Sequence, residues 1–266
     1  MPKGLSQKDL NAEWFNDPDF WEQYAPIMFD DAHWAEVPLV ADGITSLANF
    51  DFYGKTTKIV NSSPKVLDLC CGFGRISAEL ARRGFSVTGV DITESYLQTA
   101  KEEASHEKLN IEYLKADARE FVRPDFFDLA VNLYISFGYF ENEKDDLLLV
   151  RNVCESLREG GSFIIETLGK EIAVRDFVET EWFERAGFTV LTQYEILDSW
   201  TFLKNRWILI KDGKRIEKVF TQRLYSASEL RALMFSAGFS KVEIFGDWNE
   251  SPYDKRAAKL IVIGRK

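Results

Sequence analysis

The chain has 266 residues, 45% of them hydrophobic, and carries a formal net charge of −10 at neutral pH. That length holds one sizeable domain, or one domain with an insertion. The acidic balance argues against a nucleic-acid backbone as the main partner, because such binding rests on Lys and Arg neutralising phosphates.

The three cysteines, two of them adjacent at Cys70 and Cys71, form no spacing framework. Reduced thiols and a cytoplasmic setting are the expectation. With two histidines and no Cys/His cluster at zinc-ligand spacing, no metal is expected. The N-terminal stretch lacks the apolar run of a signal peptide, and no segment reaches the length of a membrane span.

In chain order, residues 1–60 read as helices and loops rich in aromatics, among them Trp14, Phe20, Trp21, Tyr24, Phe29 and Trp34. Asp17-Pro18 and Val37-Pro38 punctuate them. A regular pattern follows. Residues 65–70 form a short apolar strand, and 75–84 a helix stopped by Gly84 with arginines in its last turn. Residues 85–90 form a second strand and 94–107 a helix with Thr93 as N-cap. Strands are expected at 111–116 and 127–133. Leu147, Val150, Cys154 and Leu157 then share a helix face, and 162–167 is a fifth strand. Strands alternating with helices at this pace imply an α/β fold, a parallel sheet covered on both faces.

The rhythm changes over 188–224, which is β-rich, with turns at Asp198-Ser199 and Asp212-Gly213. This is an antiparallel insertion. Ser226 and Glu229 form a capping box, Leu230, Leu233, Met234 and Ala237 the stripe of the next helix, and Gly238 its end. Two last strands are joined without a helix and should be antiparallel.

The stretch "VLDLCCGFGR" (66–75) carries the chemistry. Parallel sheets bind ligands at the carboxyl ends of their strands. Gly72 and Gly74 let the backbone approach a ligand there, and the following helix offers free N–H groups. Asp68 beside this turn would repel a pyrophosphate, and Ser77 stands where a dinucleotide fingerprint has its third glycine. A cofactor with a cationic end suits the acid better. Asp91 ends the second strand, where a carboxylate can bind ribose hydroxyls. Asp117 follows the third strand and could accept a proton from an adenine amino group. Asn132 follows the fourth. Four polar side chains thus meet the carboxyl ends of four neighbouring strands.

These segments, with "VTGVDITESYL", "LKADARE", "FDLAVNLYISFGYF" and "LREGGSFIIE", resemble the successive motifs of Rossmann-like (class I) S-adenosylmethionine-dependent methyltransferases, over roughly residues 60–168. The resemblance implies a seven-stranded mostly parallel sheet with an antiparallel last strand. It also implies S-adenosylmethionine as cofactor and S-adenosylhomocysteine as product. Cys70 departs from the glycine common in the family. By the same resemblance the loop of Cys70, Gly72 and Gly74 approaches the methionine portion. Asp68 supports that loop or the cofactor's amino group. Asp91 binds the ribose, Ile92 packs beside the adenine, and Asp117 and Ala118 hold the adenine edge. Asn132 and Tyr134 lie under the methionine end. The insertion (169–224) and the aromatic N-terminal segment (1–60) resemble the substrate cover and lid of small-molecule methyltransferases, around a core of 61–168 and 225–266. Tyr24 is then the lid residue expected to touch the cofactor.

His33 and Tyr139 are candidates for catalysis or acceptor binding, each weighed against a plain surface or packing role. The N-terminal tryptophans could cage an amine, although lid packing explains them as well. Residues 204–223 hold seven Lys/Arg against two acids, which fits a solvated hairpin face better than an anion site. The expected reaction is in-line displacement of a methyl group by a nitrogen or oxygen of a small-molecule acceptor. Alternatives are an RNA or protein methyltransferase, a nicotinamide-dependent oxidoreductase, and a binding module without catalysis. No heptad or exposed apolar stripe fixes an oligomeric state.

Overall fold

The computed structural model describes residues 13–49 and 63–266. The parts of the expected N-terminal segment at 1–12 and 50–60 lie outside the described residues.

Strand β1 (Lys65–Leu69) is an interior strand of a seven-stranded sheet. Its neighbours are β2 (Ser86–Asp91), β3 (Ile111–Lys115), β4 (Phe127–Asn132), β5 (Leu157–Thr167), β10 (Lys241–Phe245) and β11 (Leu260–Arg265). The order across the sheet is β10-β11-β5-β4-β1-β2-β3. Only β11 runs antiparallel to its neighbours, as expected. The chain order reverses at β1, which pairs with both β2 and β4. A crevice opens at such a reversal, at the carboxyl ends of the two strands.

Alternation along β1 builds both faces. Val66 joins a core with Ile76 and Leu80 of helix α4 (Arg75–Arg82) and with Leu129, Val131 and Ile164. Leu67 and Leu69 face the other way, into a core with Val150 of α6 (Glu143–Ser156) and Leu230 and Met234 of α8 (Ala227–Ala237). The period of two therefore turns Asp68 toward α4. Helix α5 (Glu94–His106) connects β2 to β3, whereas the connection from β3 to β4 carries no helix. The α8 capping box is present, and Gly238 ends the helix in a left-handed conformation.

The stripe expected to run through Leu157 stops one residue earlier. Helix α6 ends at Ser156, and Leu157 opens β5 opposite Phe127, with a register shift before Leu129. Its burial belongs to the sheet.

The insertion is a four-stranded antiparallel sheet of β6 (Thr180–Arg185), β7 (Phe188–Leu197), β8 (Phe202–Lys211) and β9 (Lys214–Arg223). The short helix α7 (Lys170–Arg175) leads into it. Sequence reading missed α7 and β6, which have six residues each. Strand β6 is an edge strand, and its Trp182 is 69% exposed, so its apolar pattern reports no buried face. The sheet returns to the core beside a buried polar contact. Tyr225 Oη donates to Asp146 Oδ2 of α6 at 2.9 Å, and Arg223 Nε lies 3.6 Å from the same carboxylate.

At the N-terminus, α1 (Pro18–Met28) and α2 (Asp31–Ala35) precede α3 (Val37–Leu47). The expected lid of residues 1–60 is too long. Val37, Val40, Ala41, Ile44 and Leu47 of α3 are buried with Val66, Leu80 and Ile261 against the large sheet. Helix α3 is thus part of the core layer, and the described N-terminal residues over the crevice, such as Phe15, Trp21 and Phe29, precede it.

Candidate active site

The loop after β1 is held in a backbone shape that side chains resist. Cys70 has φ 62, Gly72 φ 54 and Gly74 φ 70. Left-handed backbone costs an L-residue with a side chain roughly 1–2 kcal/mol, and the loop accepts that at Cys70. Gly74 could not: a Cβ there would stand 2.2 Å from Tyr113 Oη. A Cβ on Gly72 would stand 3.0 Å from Phe29 Cζ, so the N-terminal segment covers this glycine closely. Asp68 is buried and accepts the Ser77 hydroxyl at 2.6 Å, tying β1 to α4. Burial pushes its carboxyl up to about 6, against the opposing pull of that hydrogen bond.

Asp91 closes the other side of the loop. One oxygen accepts the Gly72 N–H at 2.8 Å and the other the Thr93 N–H, also at 2.8 Å. Each oxygen keeps a further lone pair. Burial raises this carboxyl, and the backbone bonds oppose the rise. Thr93 is the N-cap of α5, as expected, but its hydroxyl makes no capping bond and is buried without a partner. Asp117 accepts from Arg119 through both oxygens, the closest contact being 2.6 Å from Nη2. Burial alone would raise the Asp117 carboxyl, but the bonds from Arg119 outweigh it and hold it below its usual value. Arg119 was not singled out in the sequence, although its place two residues after Asp117 was a usable signal.

Three cavities open along this crevice. The first, about 100 Å³, includes Cys70, Gly72, Asp91, Ile92, Asp117 and Ala118 in its walls, with Phe15, Phe140 and Leu149 opposite. The second, about 430 Å³, lies under the four-stranded sheet, between Trp207, Phe220 and Leu203 on one side and Trp14 and Phe20 on the other. The third, about 290 Å³, is polar and includes Asp68, Arg75, His33, Tyr134, Glu166 and Lys259. Trp21 and Tyr139 border all three. Tyr139 packs edge-on to Trp14, with ring centroids 4.7 Å apart.

Eight of the eleven expected cofactor residues border the first or third cavity, and three do not. Tyr24 is fully buried on the inner stripe of α1 with Phe20 and Ile27. Its hydroxyl donates to the Trp207 carbonyl at 2.8 Å, so it ties α1 to the insertion instead of reaching the crevice. Trp21 and Phe29 of the same N-terminal segment do border the first cavity. Asn132 is fully buried, and its Nδ2 donates to the Leu69 carbonyl at 3.1 Å, which makes it a clamp between β4 and β1. Gly74 is turned away, beneath Tyr113. Tyr134 borders the third cavity, with its hydroxyl buried and unpartnered.

The described N-terminal segment is fastened on two sides. Trp14 Nε1 donates to the Thr221 carbonyl at 2.9 Å, Lys218 Nζ lies 2.6 Å from Asp17, and Tyr96 Oη of α5 donates to the Trp21 carbonyl at 2.5 Å. His33 borders the polar cavity with Nδ1 2.5 Å from Asp30 Oδ1, and Arg185 of β6 lies 3.3 Å from Asp30 Oδ2. Asp30 was not foreseen, although an acid three residues before a histidine on a helix is a readable pairing. The basic strand pair is largely compensated: Lys204, Arg206, Arg215 and Lys218 pair with Glu195, Glu217 and Asp17. That matches the solvated-face reading. No helix among the described residues is long and apolar enough to cross a membrane.

Residues 66–161 match the family described as a methyltransferase domain. The chain is 23% identical over 224 residues to YqeM of Bacillus subtilis (strain 168), which carries a methyltransferase name, covering 80% of this chain and 90% of that protein. Among solved structures, an S-adenosylmethionine-dependent methyltransferase from Clostridium acetobutylicum ATCC 824 superposes with a TM-score of 0.72 at 16% identity. That match covers 93% of this chain and 97% of the other. The S-adenosylmethionine-bound amino pentose methyltransferase CalS10 from Micromonospora echinaspora superposes with a TM-score of 0.66 at 19% identity, covering 93% and 96%.

Proposed function

We propose that the chain is a Rossmann-like S-adenosylmethionine-dependent methyltransferase that methylates a nitrogen or oxygen of a small molecule held under the four-stranded sheet. One observation carries this reading. The cavity bounded by Asp91, Ile92 and Asp117 and the roomier apolar cavity beneath the insertion share Trp21 and Tyr139 as walls. A donor in the first and an acceptor in the second would meet at those two rings. CalS10, whose name states an amino pentose acceptor, supports a small acceptor.

The residues present fit the cofactor. The Thr93 hydroxyl is a buried donor without a partner on the wall of the first cavity. A side chain at Gly72 would press on the Phe29 ring, 3.0 Å from its Cβ. Asp91 presents anionic lone pairs for a ribose diol. Ile92 and Ala118 offer apolar surface for adenine, and Asp117 an acceptor at its edge. Asp68 acts through the loop, by way of Ser77.

When bound, the cofactor supplies a methyl group on sulfonium sulfur, already activated for displacement. The protein's part is alignment and exclusion of water. Trp21 and Tyr139 close the junction, and the lid is fastened to the insertion through Trp14, Asp17 and Tyr24. An amine acceptor need only arrive neutral. An alcohol would need its proton removed as well; His33, with Nδ1 2.5 Å from Asp30, borders the third cavity and not the one under the sheet.

The test is transfer of an isotopic methyl group from S-adenosylmethionine to small-molecule, RNA and protein fractions offered separately. Label in the small-molecule fraction supports the reading. Label confined to RNA or protein refutes it.

A further inference from the structure

The cavity under the four-stranded sheet is walled mostly by apolar and aromatic side chains, and two amides interrupt that wall. Asn205 of β8 and Gln222 of β9 border this cavity and neither of the other two. They are only 4% and 7% exposed. Phe220 stands opposite Asn205, and Leu203 opposite Gln222, so the amides are diagonal neighbours on one face of the sheet.

Each amide has its nitrogen committed to the protein. Asn205 Nδ2 donates to the Leu203 carbonyl at 3.1 Å. Gln222 Nε2 donates to the Phe137 carbonyl at 3.2 Å, with the Ile135 carbonyl at 3.4 Å. A carbonyl only accepts, so the NH2 group must face it and the amide oxygen is left over. Neither oxygen accepts a hydrogen bond from the described residues. The segment that anchors Gln222 also carries Ser136 and Tyr139, which border the first cavity. Gln222 is therefore tied to the place where the two cavities meet.

Charge narrows the occupant. Among the described residues no Lys, Arg or His borders this cavity, whereas Asp176 and Glu181 do. A carboxylate or phosphate entering it would lose its hydration with no cation in exchange. Two free amide oxygens in an apolar wall call instead for N–H or O–H donors. An alcohol brings one such hydrogen and a primary amine two. Trp207 Nε1 and Tyr134 Oη are also buried without partners, but both side chains border the third cavity too and neither is cationic.

We infer that Asn205 and Gln222 receive the two N–H groups of a primary amine, so that the acceptor is an amine without an anionic group. This rests on the reading above, which seats the acceptor in this cavity. With both hydrogens held by amide oxygens, the nitrogen lone pair stays free to point at the methyl carbon. That pair forms the N–C bond, the pair of the C–S bond goes to sulfur, and the resulting ammonium gives a proton to water. No protein base is needed, in keeping with the place of His33 outside this cavity.

The test supplies the full chain with S-adenosylmethionine carrying an isotopically labelled methyl group, together with the small-molecule fraction. NMR of the labelled methyl separates N–CH3 from O–CH3, and mass spectrometry identifies the acceptor. An N-methyl product without carboxylate or phosphate is expected. Asn205→Leu and Gln222→Met keep side-chain size and remove the amide. With the fraction kept dilute, so that the rate reads kcat/KM, each should form that product about 3- to 10-fold more slowly, the worth of a neutral hydrogen bond. Their affinity for S-adenosylhomocysteine should stay within about twofold, which also shows that they are folded. An O-methyl product, or an acceptor with an anionic group, would overturn the inference. So would an N-methyl product that both variants form at the wild-type rate. Loss of S-adenosylhomocysteine affinity in step with the rate would make the amides structural and overturn it as well. Label absent from the small-molecule fraction while S-adenosylhomocysteine still binds would refute the acceptor reading itself, and this inference with it.

Discussion

Asp91→Asn separates two jobs that the structure gives one carboxylate. Its oxygens each accept a backbone N–H at 2.8 Å, from Gly72 and from Thr93. Asparagine keeps one acceptor, so its amide nitrogen must face one of those donors. A buried donor left unsatisfied costs about 1–3 kcal/mol. Part is returned, because the neutral amide escapes the desolvation that already raises the Asp91 carboxyl. The net expectation is a loss of about 1–2 kcal/mol, a few degrees in Tm for a chain of this size. Cofactor binding should suffer more. A ribose diol that donates to an anion loses a charged acceptor worth about 1.5–3 kcal/mol, or roughly 10- to 100-fold in Kd. Urea unfolding and calorimetric titration with S-adenosylhomocysteine read the two effects separately. A variant that loses stability but binds the ligand within about twofold of wild type would refute the ribose assignment and leave Asp91 as a brace for the loop.

Gly74→Ala should cost about 2–4 kcal/mol in urea unfolding, combining left-handed backbone with a collision against Tyr113. Tyr113→Phe in the same background should restore part of it, and a Gly74→Ala protein as stable as wild type would contradict the packing. Tyr24→Phe should lower stability by about 1 kcal/mol through the lost bond to the Trp207 carbonyl, with S-adenosylhomocysteine affinity unchanged. A large loss of affinity would return Tyr24 to the cofactor. Burial lifts the carboxyls of Asp68 to about 6 and Asp146 to about 7, from an ordinary 3.8. Both therefore hold protons more tightly folded than unfolded. Each favours the folded state below pH about 4, and that advantage is lost as pH rises through about 6 for Asp68 and about 7 for Asp146. In Asp68→Asn or Asp146→Asn, urea midpoints should fall less between pH 4 and 7 than in wild type; parallel profiles would count against the burial argument.

The large sheet was legible because period-two apolar runs such as residues 65–69 alternate with helices closed by recognisable caps, Ser226 with Glu229 and Gly238 among them. The crevice followed from acids standing at strand ends, since Asp91 and Asp117 have no apolar role there. What could not be read was direction. Tyr24 and Trp21 lie three residues apart on one aromatic helix, and nothing local says that Tyr24 turns inward to a carbonyl 183 positions away. Asn132 and Asp91 both end strands, but only packing decides that one clamps the backbone and the other faces the cavity. The length of the lid was overread for the same reason. Helix α3 is as apolar as a lid helix, and its partners, Val66 and Ile261, are distant in sequence.

A crystal structure with S-adenosylhomocysteine bound is the most direct test of the central claim. The account predicts adenine against Ile92 and Ala118, the ribose hydroxyls on Asp91, and the thioether directed toward Tyr139 and the cavity beneath the four-stranded sheet. Adenine seated instead in that second cavity, between Trp207 and Phe220, would contradict it.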